Sequence, residues 1–234
     1  MIQAVVMAAG EGRRMRPISE RWAKPVLPID GRPVIGTLLR DLAGAGIERA
    51  TVVTGHLAEQ VEALVGDGSA FGLAVSFVHQ PEPLGSADAV LRALRAGAEL
   101  PFVVTAADTV FAAGDLARFL AEGVTAEGAI AGRRQPPPSP PHRMPLRIVN
   151  GLVTRVLDDD RGNPIAGAPL WLVDLGLAHL FDSLPGRPPY ELALVFQLAI
   201  DSGAEIRGIE IGPTRDLTSA LDLVKENFPY LGAT

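Results

Sequence analysis

The chain is 234 residues long, which fits one large domain or a domain with a small appendage, and 47% hydrophobic, enough for a real core. Its formal net charge of −6 argues against a non-specific nucleic-acid binder, whose domains are usually strongly basic. Cysteine is absent, which excludes disulfides, thiolate catalysis and Cys-ligated zinc; no apolar run reaches the roughly 18 residues of a membrane span.

The first element, Ile2–Met7, is an apolar run that reads as a fully buried parallel strand. It passes straight into a charged loop, unlike a signal peptide, so the cytoplasm is the expected compartment. Helical spacing over Val34–Ala45 ends at Gly46, and a strand follows at Ala50–Thr54. A helix at Leu57–Val65, a strand at Ala74–His79 and a helix at Ser86–Ala96 continue the alternation. Phe102–Ala106 is the next strand and Asp115–Ala121 the next helix. Strands separated by helices of this length imply βαβ units in a mainly parallel sheet. Ligands bind such sheets beyond the carboxyl ends of the strands. Residues 9–25, residues 80–88 and the segment around Asp108 should therefore converge.

Residues 134–145 carry six prolines and can form neither helix nor central strand. They read as a stiff, polyproline-like loop, with a peptide ligand for an SH3-like partner as the alternative. Leu146–Val149 and Leu152–Leu157 flank Asn150-Gly151, a strong hairpin signal. A strand at Leu170–Val173, helices at Leu175–Leu184 and Tyr190–Ser202, a strand at Glu205–Ile211 and a helix from Thr218 to about Asn227 complete the chain.

The loop after the first strand holds Gly10, Gly12, Arg13, Arg14 and Arg16, then Lys24 bracketed by Pro17 and Pro25. Glycines let backbone N–H groups approach a ligand, and successive N–H groups make an anion-binding concavity. Four nearby cations point to phosphate. A dinucleotide turn would want a third glycine where Met15 stands, and a Walker A loop is absent. Asp108 ends the strand Phe102–Ala106 beside this loop. A carboxylate there suits Mg²⁺ held mainly through phosphates and waters; a helix-capping role is the alternative. His56, His79, His142 and His179 show no metal-ligand spacing, and Trp22 reads either as a lid over a nucleotide or as a core anchor.

The run Ala8-Ala9-Gly10-Glu11-Gly12-Arg13-Arg14-Met15-Arg16-Pro17, followed by Lys24-Pro25 and Gly31-Arg32-Pro33-Val34-Ile35, resembles the signature of sugar-phosphate nucleotidylyltransferases. Gly66–Leu73, Gln80–Ala87 and Ala107-Asp108 extend the likeness over roughly residues 1–112, most similar to the glucose-1-phosphate thymidylyltransferase and uridylyltransferase type. The resemblance implies a Rossmann-like three-layer sandwich with a mainly parallel mixed sheet. It implies a single domain, with residues 1–133 as the nucleotide-binding half and 134–234 as the acceptor-binding half. The implied reaction moves a nucleotidyl group from an NTP, UTP or dTTP favoured, to a sugar 1-phosphate with Mg²⁺ as cofactor; a non-catalytic nucleotide or sugar-nucleotide sensor on the same fold is the alternative.

By motif, Arg14 should grip the triphosphate and Lys24 should sit near the α-phosphate as the catalytic pair. Ala9, Gly10, Gly12 and Arg13 should line the phosphate cradle, and Gln80, Gly85 and Ser86 the base side. Asp108 and Glu210 should hold the metal, Glu210 in Glu210-Ile211-Gly212-Pro213-Thr214 standing where the family pattern has aspartate; a plain edge-of-sheet acid is the other reading. Asp158-Asp159-Asp160 replaces the usual Glu-Lys-Pro, so the lysine that would face the sugar phosphate is missing, and the three acids read as a solvated turn or a further metal site. Partners are an NTP and a phosphate-bearing acceptor, without nucleic acid or membrane, and short relatives often self-associate.

Overall fold

The computed structural model describes residues 2–134, 144–160 and 162–228. Most of the proline-rich segment, with His142, lies outside them.

Strand β1 (Gln3–Ala8) is buried on both faces: Ala4, Val6 and Ala8 pack to one side of the sheet and Val5 to the other. A small hairpin follows, β2 (Pro28–Ile29) and β3 (Arg32–Pro33), and runs into helix α1 (Val34–Gly44). Asp30 and Gly31 close it with φ of 52° and 71°, the positive pair a type I′ turn requires. Then come β4 (Arg49–Thr54), α2 (Ala58–Val65), β5 (Ala74–His79), α3 (Ser86–Arg95), β6 (Phe102–Ala106), β7 (Thr109–Val110) and α4 (Asp115–Gly123). These match the expected elements closely, except for the short β2, β3 and β7.

The second half departs more. A strand not foreseen, β8 (Gly128–Arg134), is buried over its first five residues. Its Gly-Ala-Ile-Ala-Gly sequence lacks the β-branched run that marks a strand, since small residues let neighbouring side chains pack over it. The Asn150-Gly151 hairpin forms as expected, joining β9 (Leu146–Val149) to β10 (Leu152–Val156). Strand β11 (Ile165–Val173) begins five residues earlier than its apolar core suggested. The expected helix at Leu175–Leu184 is a single turn, α5 (Leu175–Ala178), continued by a 3₁₀ turn His179–Asp182. Helix α6 (Leu192–Asp201), strand β12 (Ile206–Ile211), the short β13 (Arg215–Asp216) and helix α7 (Ala220–Asn227) follow.

Nine strands form one sheet in the order β5-β4-β1-β6-β11-β8-β12-β10-β9. Pairings are parallel from β5 through β6 and between β8 and β12, so only β11 and β10 run against the rest. The fold is thus the expected mixed, mainly parallel sheet between helical layers. Leu38, Leu39, Leu42, Val61 and Phe119 cover one face with α1, α2 and α4, while Val90, Phe181 and Phe196 cover the other. The carboxyl ends of β1, β5, β6, β8 and β12 meet at one edge, which brings the loops at 9–25, 80–85, 107–108 and 212–218 together.

No helix among the described residues is long and apolar enough to cross a membrane.

Candidate active site

Gly12 takes φ 61°, a left-handed conformation that starts a 3₁₀ turn, Arg13–Met15, instead of a long helix. Met15, at the position where a dinucleotide loop would want glycine, is fully buried with Leu27, Ile29, Val34 and Leu217. It pins the loop from below. From above, Ser19 donates to the Gly12 carbonyl at 2.9 Å, and His56 Nε2 pairs with the Ser19 carbonyl at 2.8 Å. Gln60 on α2 clasps the far end: its Oε1 accepts from the Ala23 N–H and its Nε2 donates to the Arg21 carbonyl, both at 2.8 Å.

This scaffold sorts the cations. Arg13 donates to Glu11 at 2.7 Å, a hydrogen bond that holds the Glu11 carboxyl below its ordinary range. Arg16 lies 3.8 Å from Glu11 and 3.9 Å from Glu20. Arg14 makes no ion pair among the described residues and lines a cavity of about 390 Å³. Ala9, Gly10, Gly12, Arg13, Lys24, Gln80, Gly85, Ser86 and Asp108 line it too. Every nucleotide-side residue expected from the sequence is therefore gathered in one concavity. Trp22 is not among them; it is 56% exposed, neither over the cavity nor in the core.

Lys24 Nζ donates to Asp108 Oδ2, pairing two side chains that are only 17% and 20% exposed. Gln80 is buried, and its Nε2 donates to the Gly85 carbonyl at 3.1 Å and to Asp88 Oδ2 at 2.7 Å. No hydrogen bond reaches Gln80 Oε1 among the described residues. Gly85, at φ 105°, has a packing reason to be glycine: a Cβ there would lie 2.3 Å from the Tyr190 carbonyl oxygen. Ser86 accepts from the Leu192 N–H at 2.8 Å and contacts Glu191 at 3.1 Å, tying α3 to the start of α6.

A second cavity, of about 680 Å³, shares Arg14, Lys24, Ser86 and Asp108 with the first. Its far wall holds Arg133 from β8, Thr214 and Asp216, with Ala168, Pro169, Trp171 and Leu192 as an apolar floor. Asp216 stands opposite Thr109 in the β7–β13 pairing, one residue from Asp108. Its Oδ1 accepts from Thr109 Oγ1 at 2.9 Å; its Oδ2 accepts from Arg133 Nη1 at 3.0 Å and from Thr214 at 3.2 Å.

Glu210 does not join this group. Ile209 and Ile211 face the core, so the strand's two-residue period turns Glu210 to the other face, where Arg134 Nη2 donates to it at 2.8 and 3.1 Å. Asp216, not Glu210, is the acid that lines the second cavity together with Asp108. A capping box of Ser219 and Asp222 marks the start of α7 and leaves 212–218 as the loop at the carboxyl end of β12. Asp216 is the single acid in that loop, and this was the available signal.

No group of three or more metal-ligating side chains exists among the described residues. Asp108, in the turn before β7, and Asp216, on β13, line one cavity and fit Mg²⁺, which takes one or two carboxylates and fills its remaining positions with phosphate oxygens and water.

The Asp158–Asp160 run is not a wholly solvated turn. Burial would raise the Asp158 carboxyl, but hydrogen bonds from Arg147 and Asn163 hold it below the usual carboxylate range. Its side chain is 1% exposed, with Arg147 at 2.8 and 3.2 Å and Asn163 Nδ2 at 2.8 Å. Asn163 also bonds the Leu146 carbonyl and the Ile165 N–H, so Asp158 locks the β9–β10 hairpin to β11. Asp159 and Asp160 are exposed.

Against known proteins, the family model described as nucleotidyl transferase matches residues 3–138. The chain belongs to the nucleotidyl transferase family. It is 43% identical over 90 residues to the glucose-1-phosphate thymidylyltransferase of Streptomyces griseus, covering 38% of this chain and 25% of that protein. It is 30% identical over 243 residues to the enzyme of that name from Streptomyces antibioticus, covering 97% and 65%. The chain thus spans a quarter to about two thirds of the length of these relatives. A Bacillus anthracis structure named for glucose-1-phosphate thymidylyltransferase superposes with a TM-score of 0.86 at 19% identity, covering 97% of this chain and 94% of that one, a likeness of fold.

Proposed function

We propose that this nucleotidyl transferase moves a nucleotidyl group from UTP or dTTP to a sugar 1-phosphate, giving an NDP-sugar and pyrophosphate. The observation that carries the reading is the junction of two cavities at Arg14, Lys24 and Asp108. One cavity offers a phosphate loop and a base-facing amide; the other is open to an acceptor. An acceptor phosphate oxygen at the junction attacks the α-phosphorus in line. The new P–O bond forms as the bond to the bridging oxygen breaks, and pyrophosphate leaves with that electron pair.

Positioning and fixed charge carry such a transfer. Lys24 holds the charge that builds on the α-phosphoryl oxygens, and Arg14 steadies the departing pyrophosphate. Gln80 Oε1 accepts from the ring N3–H of uracil or thymine, the one amide function its protein contacts leave open. Asp108 and Asp216 would hold Mg²⁺, which when bound neutralises phosphate charge. A non-catalytic sensor would account for the first cavity but leave the second, with its charged wall, without a role. Pyrophosphate release from each common NTP against a panel of sugar phosphates tests the reading; nucleotide binding without turnover on any acceptor would overturn it.

A further inference from the structure

The second cavity has few cations to offer an acceptor's anionic group. Four line it among the described residues: Arg14, Lys24, Arg133 and Arg215. Arg215 is committed to carboxylates, donating to both Asp30 oxygens at 2.5 and 2.8 Å and to Glu226 at 2.5 Å. Arg14 and Lys24 also line the nucleotide cavity and serve the triphosphate. Arg133 remains.

Its guanidinium is fixed but unsatisfied. Nη1 donates to Thr214 Oγ1 and to Asp216, which sets the plane of the group. Nε is buried without a hydrogen-bond partner, and no bond from Nη2 exists among the described residues. The side chain is 15% exposed. Nε and Nη2 form the side edge of the fork, the edge that binds phosphate through two parallel N–H···O bonds. A buried donor without an acceptor is costly in a finished fold. An incoming anion would supply that acceptor.

We propose that Arg133 is the receptor for the acceptor's phosphate, and thereby a specificity-determining residue for a phosphomonoester dianion. This rests on the function proposed above. Asp216 and Thr214 orient Arg133 so that its free edge meets the anion, while Lys24 and Arg14 serve the nucleotide. The acidic run at 158–160 supplies no competing cation, since Asp158 is locked to Arg147.

The test uses the full chain, glucose 1-phosphate as acceptor probe, and α,β-methylene-UTP as an inert nucleotide. Arg133→Met should raise the KM for glucose 1-phosphate about tenfold or more, with the KM for UTP changed less than about twofold. Arg133→Lys, which keeps charge but not the fork, should fall between. Independently of turnover, wild-type protein holding the analogue should gain further thermal stability from glucose 1-phosphate. Arg133→Met should keep the gain from the analogue and lose the second gain. Asp216 retains Thr109 and Thr214 in that variant, so the fold should persist; should it not, Arg133→Lys carries the comparison. An acceptor KM or acceptor-dependent gain insensitive to Arg133 overturns this proposal alone. Absence of any gain from the nucleotide analogue overturns the function reading and this proposal with it.

Discussion

Lys24 on the loop after β1 and Asp108 in the turn after β6 form an ion pair at the junction of the two cavities. The pair joins the residue assigned to the α-phosphate with one assigned to the metal. In the free protein each neutralises the other, so neither stands as an isolated, half-buried charge. On the proposed function, nucleotide and Mg²⁺ would bring the counter-charges that let both groups turn to the ligand.

Lys24→Ala should therefore lower turnover by about a hundredfold or more, the scale of one lost transition-state contact. Its thermal midpoint should fall, since the variant leaves the largely buried Asp108 carboxylate without its partner. Steady-state pyrophosphate release checks the first and calorimetry the second. Near-normal turnover would remove Lys24 from the assigned role.

Asp216 and Glu210 separate the sequence expectation from the structural one. Asp216→Asn should cut turnover at least tenfold and raise the Mg²⁺ concentration needed for half-maximal rate. Glu210→Gln, which loses only an exposed contact with Arg134, should change the rate by less than about twofold. A magnesium titration of both variants distinguishes them, and the reverse ranking would restore Glu210.

Gln80 bears on base choice. Gln80→Ala removes the free Oε1 together with the bonds to Gly85 and Asp88. The KM for UTP should rise about tenfold, and the preference for UTP over CTP should narrow. Competition assays with paired nucleotides read this directly; an unchanged ratio would place base selection elsewhere.

Asp158 should matter for stability rather than catalysis. Its carboxyl is held below its unfolded value near 3.8, so its contribution is present above that pH and is lost as pH falls through the still lower folded value. Asp158→Asn should destabilise the protein by about 1–3 kcal/mol at pH 7. The gap to wild type should close below about pH 3.8, which denaturant titrations at several pH values would follow.

Much of the nucleotide side was legible in the sequence. Apolar runs ending in glycine and arginine placed the phosphate loop, and the longer strands β1, β4, β5 and β6 each carried their own apolar signal. The second half was harder to read. Strand β8 hides in glycine and alanine because both its faces are crowded, and with it went Arg133. Asp216 sits on a two-residue strand with no hydrophobic pattern, while Glu210 occupied the better motif match on a strand whose alternation turns it away. Arg215 fixes that short strand through Asp30 and Glu226, partners distant in sequence, which no local pattern announces.

The most direct test of the central claim is pyrophosphate release from UTP or dTTP with glucose 1-phosphate by the full chain. Release should require nucleotide, acceptor and Mg²⁺ together and stop on chelation of the metal. A folded protein that binds the nucleotides yet releases no pyrophosphate, with any common NTP and any sugar phosphate, would contradict it.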